Sequence, residues 1–188
     1  VKRVKTLFLL AMLTLVLSVQ ADELPHFSED GYRISYYRSA TPDQVDGGRL
    51  ITTAALLSKL QANHEIILID VQPVTWRNGI FISNPPRRTL PNSVWLPNVG
   101  WGEAEEHWLR YFSEHLQALT GRDKSKAIAI FCTADCWMSW NAVRRASQWG
   151  YTQLYWYADG SDGWHEAGLP LVEIAPEPLG VEALLYTE

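Results

Sequence analysis

Phe131-Cys132-Thr133-Ala134-Asp135-Cys136-Trp137-Met138-Ser139 joins an unbroken apolar run, Ala127-Ile128-Ala129-Ile130-Phe131, to a stretch of helical periodicity. The run before it has the pattern of a strand buried on both faces. In the stretch after it, Ala142, Val143, Ala146 and Trp149 share one side of a helix, with Ser139 as its N-cap and Gly150 as its stop. A second apolar run, Ile66-Ile67-Leu68-Ile69-Asp70-Val71, ends at Pro73 and reads as another buried strand. Outward from these, Ala55, Leu56 and Leu60 follow a cap at Thr52 or Thr53. Trp108, Phe112, Leu116 and Leu119 follow three glutamates and stop at Gly121, as the helix dipole favours. Val94-Trp95-Leu96 and Leu154-Tyr155-Trp156-Tyr157 are further strand candidates, and a short helix is expected around Gly163-Trp164-His165-Glu166. Strands alternating with helices predict an α/β fold, a mostly parallel central sheet with helices on both faces. The working site of such a sheet lies at the carboxyl ends of its strands. Both cysteines fall there.

The 188 residues suit one domain. Sixteen basic against twenty-one acidic side chains give a net charge of −5, which argues against a nucleic-acid partner. Two cysteines are too few for a multi-disulfide scaffold or a four-thiolate zinc site. Residues 1–21 read as a secretory signal peptide: Lys2, Arg3 and Lys5, an apolar run from Leu7 to Val19, then small residues at Val19 and Ala21. That run is shorter than the ~20 residues a spanning helix needs, so no membrane span is expected after cleavage. The mature chain then carries −8 and is expected in the oxidising periplasm. Residues 22–49 read as a polar leader with a half-exposed strand over Tyr32, Ile34 and Tyr36. Residues 50–172 form the domain, and 173–188 a tail. Residues 73–93 read as a long loop around Ile80-Phe81-Ile82, with Arg87-Arg88 as a solvated pair.

A strand–loop–helix junction points backbone N–H groups inward and faces the positive end of the helix dipole. A thiol held there is acidified and made reactive. Cys132, at the strand terminus, is the expected nucleophile. Cys136 lies on the rim, close enough for a disulfide, and is the expected resolving thiol. Trp137 is expected to shield the thiols, and Arg144 to meet an anion about one turn past Ser139. Two other readings stand beside this one. The thiols suit a soft metal such as Cu(I), or a redox cofactor. Alternatively, the chain is a non-catalytic partner module with a structural disulfide, its tryptophans mostly core. No His-rich or Met-rich tract accompanies the cysteines, and no bound cofactor or metal is expected on the main reading.

The blocks Ile69-Asp70-Val71, Leu90-Pro91-Asn92-Ser93-Val94-Trp95-Leu96-Pro97, the Cys132 loop, Gly150-Tyr151 and Ala158-Asp159-Gly160-Ser161-Asp162-Gly163-Trp164 together resemble the rhodanese-like family. The resemblance spans roughly residues 50–172 and implies a rhodanese-like fold with sulfurtransferase chemistry. Cys132-x-x-x-Cys136-Trp137, followed by Met138-Ser139-Trp140-Asn141-Ala142, is similar to one branch of it, the exported CxxCW-motif proteins associated with pyrroloquinoline-quinone-dependent alcohol catabolism. That branch implies association with a periplasmic quinoprotein dehydrogenase system; on the redox or persulfide reading of the cysteines, the other partner is a small sulfur donor or thiol. Asp70, from the Ile69-Asp70-Val71 block, and Asp135 and Ser139, from the cysteine loop and its helix start, are counted with Trp137 and Arg144 as candidate binding residues. Rhodanese loops resemble C-x-x-G-x-R; here Asp135-Cys136 stands for the glycine and Trp137-Met138 for the arginine. Gln72 follows Asp70-Val71 where the family often carries arginine. An acidic Asp135 beside the cradle would repel thiosulfate and raise the Cys132 pKa, which argues against ordinary thiosulfate:cyanide sulfurtransfer. His165, at the last corner, reads as a surface or capping residue.

Overall fold

The computed structural model describes residues 26–62 and 64–180. The signal-peptide reading falls outside these residues, as do the first residues of the leader and the last eight of the chain. The two apolar runs pair with each other in parallel: β2 (Ile66–Asp70) lies beside β7 (Ala127–Phe131), from Ile66 opposite Ala127 to Asp70 opposite Phe131. Around them run β1 (Arg49–Leu50), β6 (Ser93–Trp95) and β8 (Leu154–Tyr157), in the order β1-β8-β7-β2-β6. All four pairings are parallel.

Successive strand residues point to opposite faces, and the two hydrophobic clusters divide accordingly. Ile128 and Ile130 pack with α2 (Glu106–Thr120) and α3 (Trp137–Gln148), through Phe112, Leu116, Val143 and Ala146. Ala129 and Phe131 pack with α1 (Thr53–Gln61) and α4 (Gly160–Glu166), through Leu56 and Trp164. Phe112, Leu116, Leu56 and Phe131 have no exposed surface, and each such side chain stabilises by roughly 1.5–3 kcal/mol. Thr52 caps α1 by accepting from Ala55 N, and Gly121 closes α2 in the left-handed region that glycine occupies without strain.

Four local readings change. α3 begins at Trp137, with Cys136 and not Ser139 as its N-cap. Ser139 is drawn inward because the buried Trp156 indole donates to its Oγ at 3.0 Å, while that hydroxyl donates to Cys136 O. Residues 32–37 form no strand: Tyr32 and Arg33 are both buried, because the chain lies across α3 rather than beside another strand. In the 73–93 loop, β3 (Thr75–Arg77) and β4 (Ile80–Ile82) form a hairpin about Asn78-Gly79. Past residue 170, β9 (Val172–Ile174) pairs with β5 (Arg87–Thr89), and Glu177 N donates to Trp95 O, so the start of the tail is bound to the domain.

Candidate active site

Cys132 is the first residue after β7, and Cys136 caps α3. Their sulfurs are joined, with Cα atoms 6.3 Å apart. The loop between them turns through Asp135 at φ +50°, a left-handed conformation that short polar side chains tolerate. Behind it, α4 comes close: Ser161 N donates to Cys132 O at 2.9 Å. Gly160, at φ +59°, leaves room for that approach, since a Cβ there would lie 2.4 Å from the same oxygen. Cys132 has no exposed surface and Cys136 only 3%.

The loop amides do not form an open anion cradle. Ala134 N donates to Asp162 Oδ2 at 3.2 Å, and Trp137 N donates to Tyr37 O at 2.9 Å. On the β2 side, Gln72 Oε1 lies 3.0 Å from Cys132 Sγ and accepts from Thr133 Oγ1 at 3.4 Å. The disulfide has no proton to give this oxygen, whereas a reduced Cys132 thiol can donate to it. Which end of the Gln72 amide faces the sulfur is set by this network, with its NH2 able to turn toward a thiolate. Gln72 also lines a cleft of about 600 Å³, together with Arg87, Arg88, Trp95, Ser161 and Asp162.

On the opposite side the leader closes over the loop. Arg38 pairs with Cys136 in an isolated antiparallel bridge, Ser39 N donates to Asp135 O, and the Arg38 guanidinium bonds Thr133 Oγ1. α3 fastens the leader further along. Asn141, fully buried, accepts from Arg33 N at 2.9 Å and donates to Arg33 O and Gly100 O at 2.8 Å. Trp137 Nε1 donates to Ser39 Oγ, and Trp140 Nε1 to Gln44 O. Arg145 is buried and gives its guanidinium to Val99 O, Trp101 O and Gly102 O.

The family model of the rhodanese-like domain matches residues 53–167, from the start of α1 to just past the end of α4. This chain belongs to the rhodanese-like domain family. Among solved structures it is similar to a thiosulfate sulfurtransferase from Pseudomonas aeruginosa, with 14% identity, TM-score 0.46, and coverage of 73% of this chain. It spans only 23% of that sulfurtransferase's length. It is also similar to a polysulfide-sulfur transferase homodimer from Wolinella succinogenes, with 20% identity, TM-score 0.44, covering 69% of this chain and 81% of that one. A rhodanese-like domain from Anabaena sp. gives 17% identity and TM-score 0.47, covering 70% and 86%. No curated protein matches the chain.

Within this rhodanese-like domain the residues picked out from sequence are brought together only in part. Cys132 and Cys136 meet. Asp135 is exposed and presents only its carbonyl to the leader, and the carboxylate that takes a loop amide is Asp162. Trp137 covers the loop from the leader side, its ring 5.5 Å from Phe27 and under the Arg33 guanidinium. Ser139 is 1% exposed and serves Trp156, so no ligand reaches it. Arg144 is turned to the leader, where it pairs with Asp46 at 2.9 Å and donates to Asp30 O. Asp70 has no exposed surface and holds Arg87 in a 2.8 Å ion pair, which corrects the solvated-pair reading for that arginine. Burial pushes the Asp70 carboxyl up, against the pull of Arg87. Its other oxygen accepts from Gln72 N, so Asp70 is a positioning residue for Gln72. His165 is exposed at the end of α4. Among the described residues no group of three or more His, Cys, Asp or Glu side chains is placed to hold a metal ion, so the copper reading rests on the two thiols alone. No helix among them is long and apolar enough to cross a membrane.

Sequence reasoning missed Gln72 as a sulfur contact, Asp162 as the acceptor of a loop amide, and the leader as a cover. Gln72 carried a faint signal, as the polar residue standing where the family often has arginine.

Proposed function

We propose that this chain is an exported, periplasmic rhodanese-like protein that carries out thiol–disulfide redox or persulfide chemistry at Cys132 and Cys136, in association with pyrroloquinoline-quinone-dependent alcohol oxidation. The observation that carries the reading is the pairing of the two sulfurs in the strand-to-helix loop at the carboxyl end of β7. In this scheme Cys132 carries the exchanging sulfur and Cys136 resolves it. The filling of a loop amide by Asp162 argues against an anionic donor such as thiosulfate. The quinone belongs to the partner dehydrogenase, and the CxxCW-like spacing with its following Trp137-Met138-Ser139-Trp140-Asn141-Ala142 supports the link.

A structural staple is the second reading, favoured by the burial of both sulfurs. Intact mass after equilibration in glutathione redox buffers, with thiol alkylation, separates the two. A pair that converts between disulfide and dithiol near the poise of those buffers supports redox work. One extra sulfur on Cys132 supports persulfide transfer. A pair that stays oxidised until the chain unfolds is a staple, and the proposal then fails.

A further inference from the structure

The two sulfurs differ in what stands between each and solvent. Over Cys136 the cover is main chain: Trp137 N to Tyr37 O, Ser39 N to Asp135 O, and Arg38 in a bridge with Cys136 itself. Exposing that sulfur requires lifting the leader, which Asn141 also grips. Toward the 600 Å³ cleft, Cys132 meets side chains rather than main chain: the carboxamide of the half-buried Gln72, which lines that cleft, 3.0 Å from its sulfur, and the Thr133 hydroxyl at 3.8 Å. Side chains change rotamer in picoseconds to nanoseconds where they are exposed, while local unfolding of a segment takes microseconds or longer. The cleft is the faster way in.

We propose that a low-molecular-weight thiol reaches the pair through this cleft, its sulfur replacing the Gln72 carboxamide beside Cys132, so that the mixed disulfide forms on Cys132 and Cys136 departs as the thiolate. This rests on the redox reading of the pair.

The direction of bond breaking follows from the two surroundings. A thiol of lower pKa is the better leaving group. Cys136 is the N-cap of a twelve-residue helix, where negative charge is favoured. In the oxidised pair Cys132 faces the Gln72 carbonyl oxygen, so a thiolate there needs the amide to turn its NH2 inward first, whereas Cys136 at the helix N-terminus needs no such turn. The class of donor follows from access. With Cys132 wholly buried, a thiol fixed on a folded protein surface is stopped at the cleft mouth, whereas a small molecule enters a cleft within the ~300–1,000 Å³ range of ligand sites.

The steps balance. The donor thiolate bonds Cys132 Sγ, the Cys132–Cys136 bond breaks, and its electron pair leaves on Cys136 Sγ. A second donor thiolate then attacks the donor sulfur of the mixed disulfide and releases Cys132 as a thiolate. Two small thiols become one small disulfide, and the protein disulfide becomes a dithiol. The two protons lost by the donors end on the protein thiols. Asp70 takes part only by holding Gln72 N and Arg87.

The test uses the oxidised full-length mature protein, with glutathione as the small thiol and reduced thioredoxin as the protein thiol. After mixing with glutathione and rapid quenching with N-ethylmaleimide, fragment mass spectra are expected to place glutathione on Cys132 and maleimide on Cys136. The reverse placement overturns the proposal. Gln72→Ala is expected to speed reduction by glutathione about tenfold, and Gln72→Glu, which sets a carboxylate in the path of the thiolate, to slow it. Equal rates in the three proteins overturn it too, as does faster reduction by thioredoxin than by glutathione at equal concentration. If neither reductant opens the pair in the folded wild type or in Gln72→Ala, the redox reading itself falls and the inference with it. If the pair opens but glutathione sits on Cys136, only the route and the role assignment fall.

Discussion

On the leader side, the Cys132–Cys136 loop is closed by main-chain hydrogen bonds and by a set of α3 side chains: Trp137, Trp140, Asn141 and Arg144. On the cleft side the nearest groups to Cys132 are side chains, the Gln72 carboxamide and the Thr133 hydroxyl. The stretch Trp137-Met138-Ser139-Trp140-Asn141, which marks the chain as unusual in sequence, therefore serves the closed side, where it builds stability. The open side is built from Gln72, Ser161 and Asp162, none of which belongs to the stretch around the cysteines. The contrast teaches that the conspicuous residues of a site and the reactive approach to it can lie on opposite sides of one loop.

The largest effect that would sharpen this contrast is on stability. Asn141→Ala leaves Arg33 N, Arg33 O and Gly100 O without their buried partner, and is expected to cost about 3 kcal/mol in urea unfolding followed by tryptophan fluorescence. Cleft-side substitutions such as Gln72→Ala are expected to cost less than about 1 kcal/mol in the same assay. Next comes Gly160→Ala, which brings a Cβ onto Cys132 O and a side chain into a left-handed backbone. A loss of about 2 kcal/mol is expected, with a shift in the redox midpoint measured in glutathione buffers, because the loop itself is displaced. Asp162→Asn keeps an acceptor for Ala134 N and removes the negative charge beside the cleft. Stopped-flow reduction by the anionic thiol glutathione is expected to rise about threefold, and reduction by the cationic thiol cysteamine not to rise. The same gain for both thiols would break the electrostatic part of the comparison.

The smallest effect concerns pH and lies away from both sides of the loop. Burial holds the His107 imidazole below its ordinary value, with Glu105 pulling the other way. The folded state resists a proton that the unfolded chain accepts below about 6.5. Stability therefore declines as pH falls below that value, until the depressed folded pKa is reached. In His107→Gln this part of the slope is expected to disappear, as urea midpoints compared at several pH values would show.

The sheet was legible because β2 and β7 are buried on both faces and so read as unbroken apolar runs. The helix after the loop was legible to within three residues at its start. The offset came from Ser139, whose hydroxyl is claimed by the Trp156 indole across the core, a demand that no local pattern announces. The alternation of Tyr32, Ile34 and Tyr36 suggested a strand because a period of two reports an extended chain. It does not report whether another strand lies alongside, and here the neighbour is a helix. Gln72 and Asp162 were not legible as loop contacts. They reach Cys132 and Ala134 from 60 and 28 residues away in sequence, and a single polar residue, in a loop like Gln72 or in a short helix like Asp162, does not announce a long-range contact.

The most direct measurement is the rate at which glutathione reduces the Cys132–Cys136 disulfide in three proteins: wild type, Gln72→Ala and Asn141→Ala. Opening from the cleft means that Gln72→Ala is faster by about tenfold, while Asn141→Ala, for all its lost stability, stays within about twofold of wild type. A larger acceleration in Asn141→Ala than in Gln72→Ala would mean that the leader, not Gln72, guards the sulfurs, and would contradict the assignment of the reactive side.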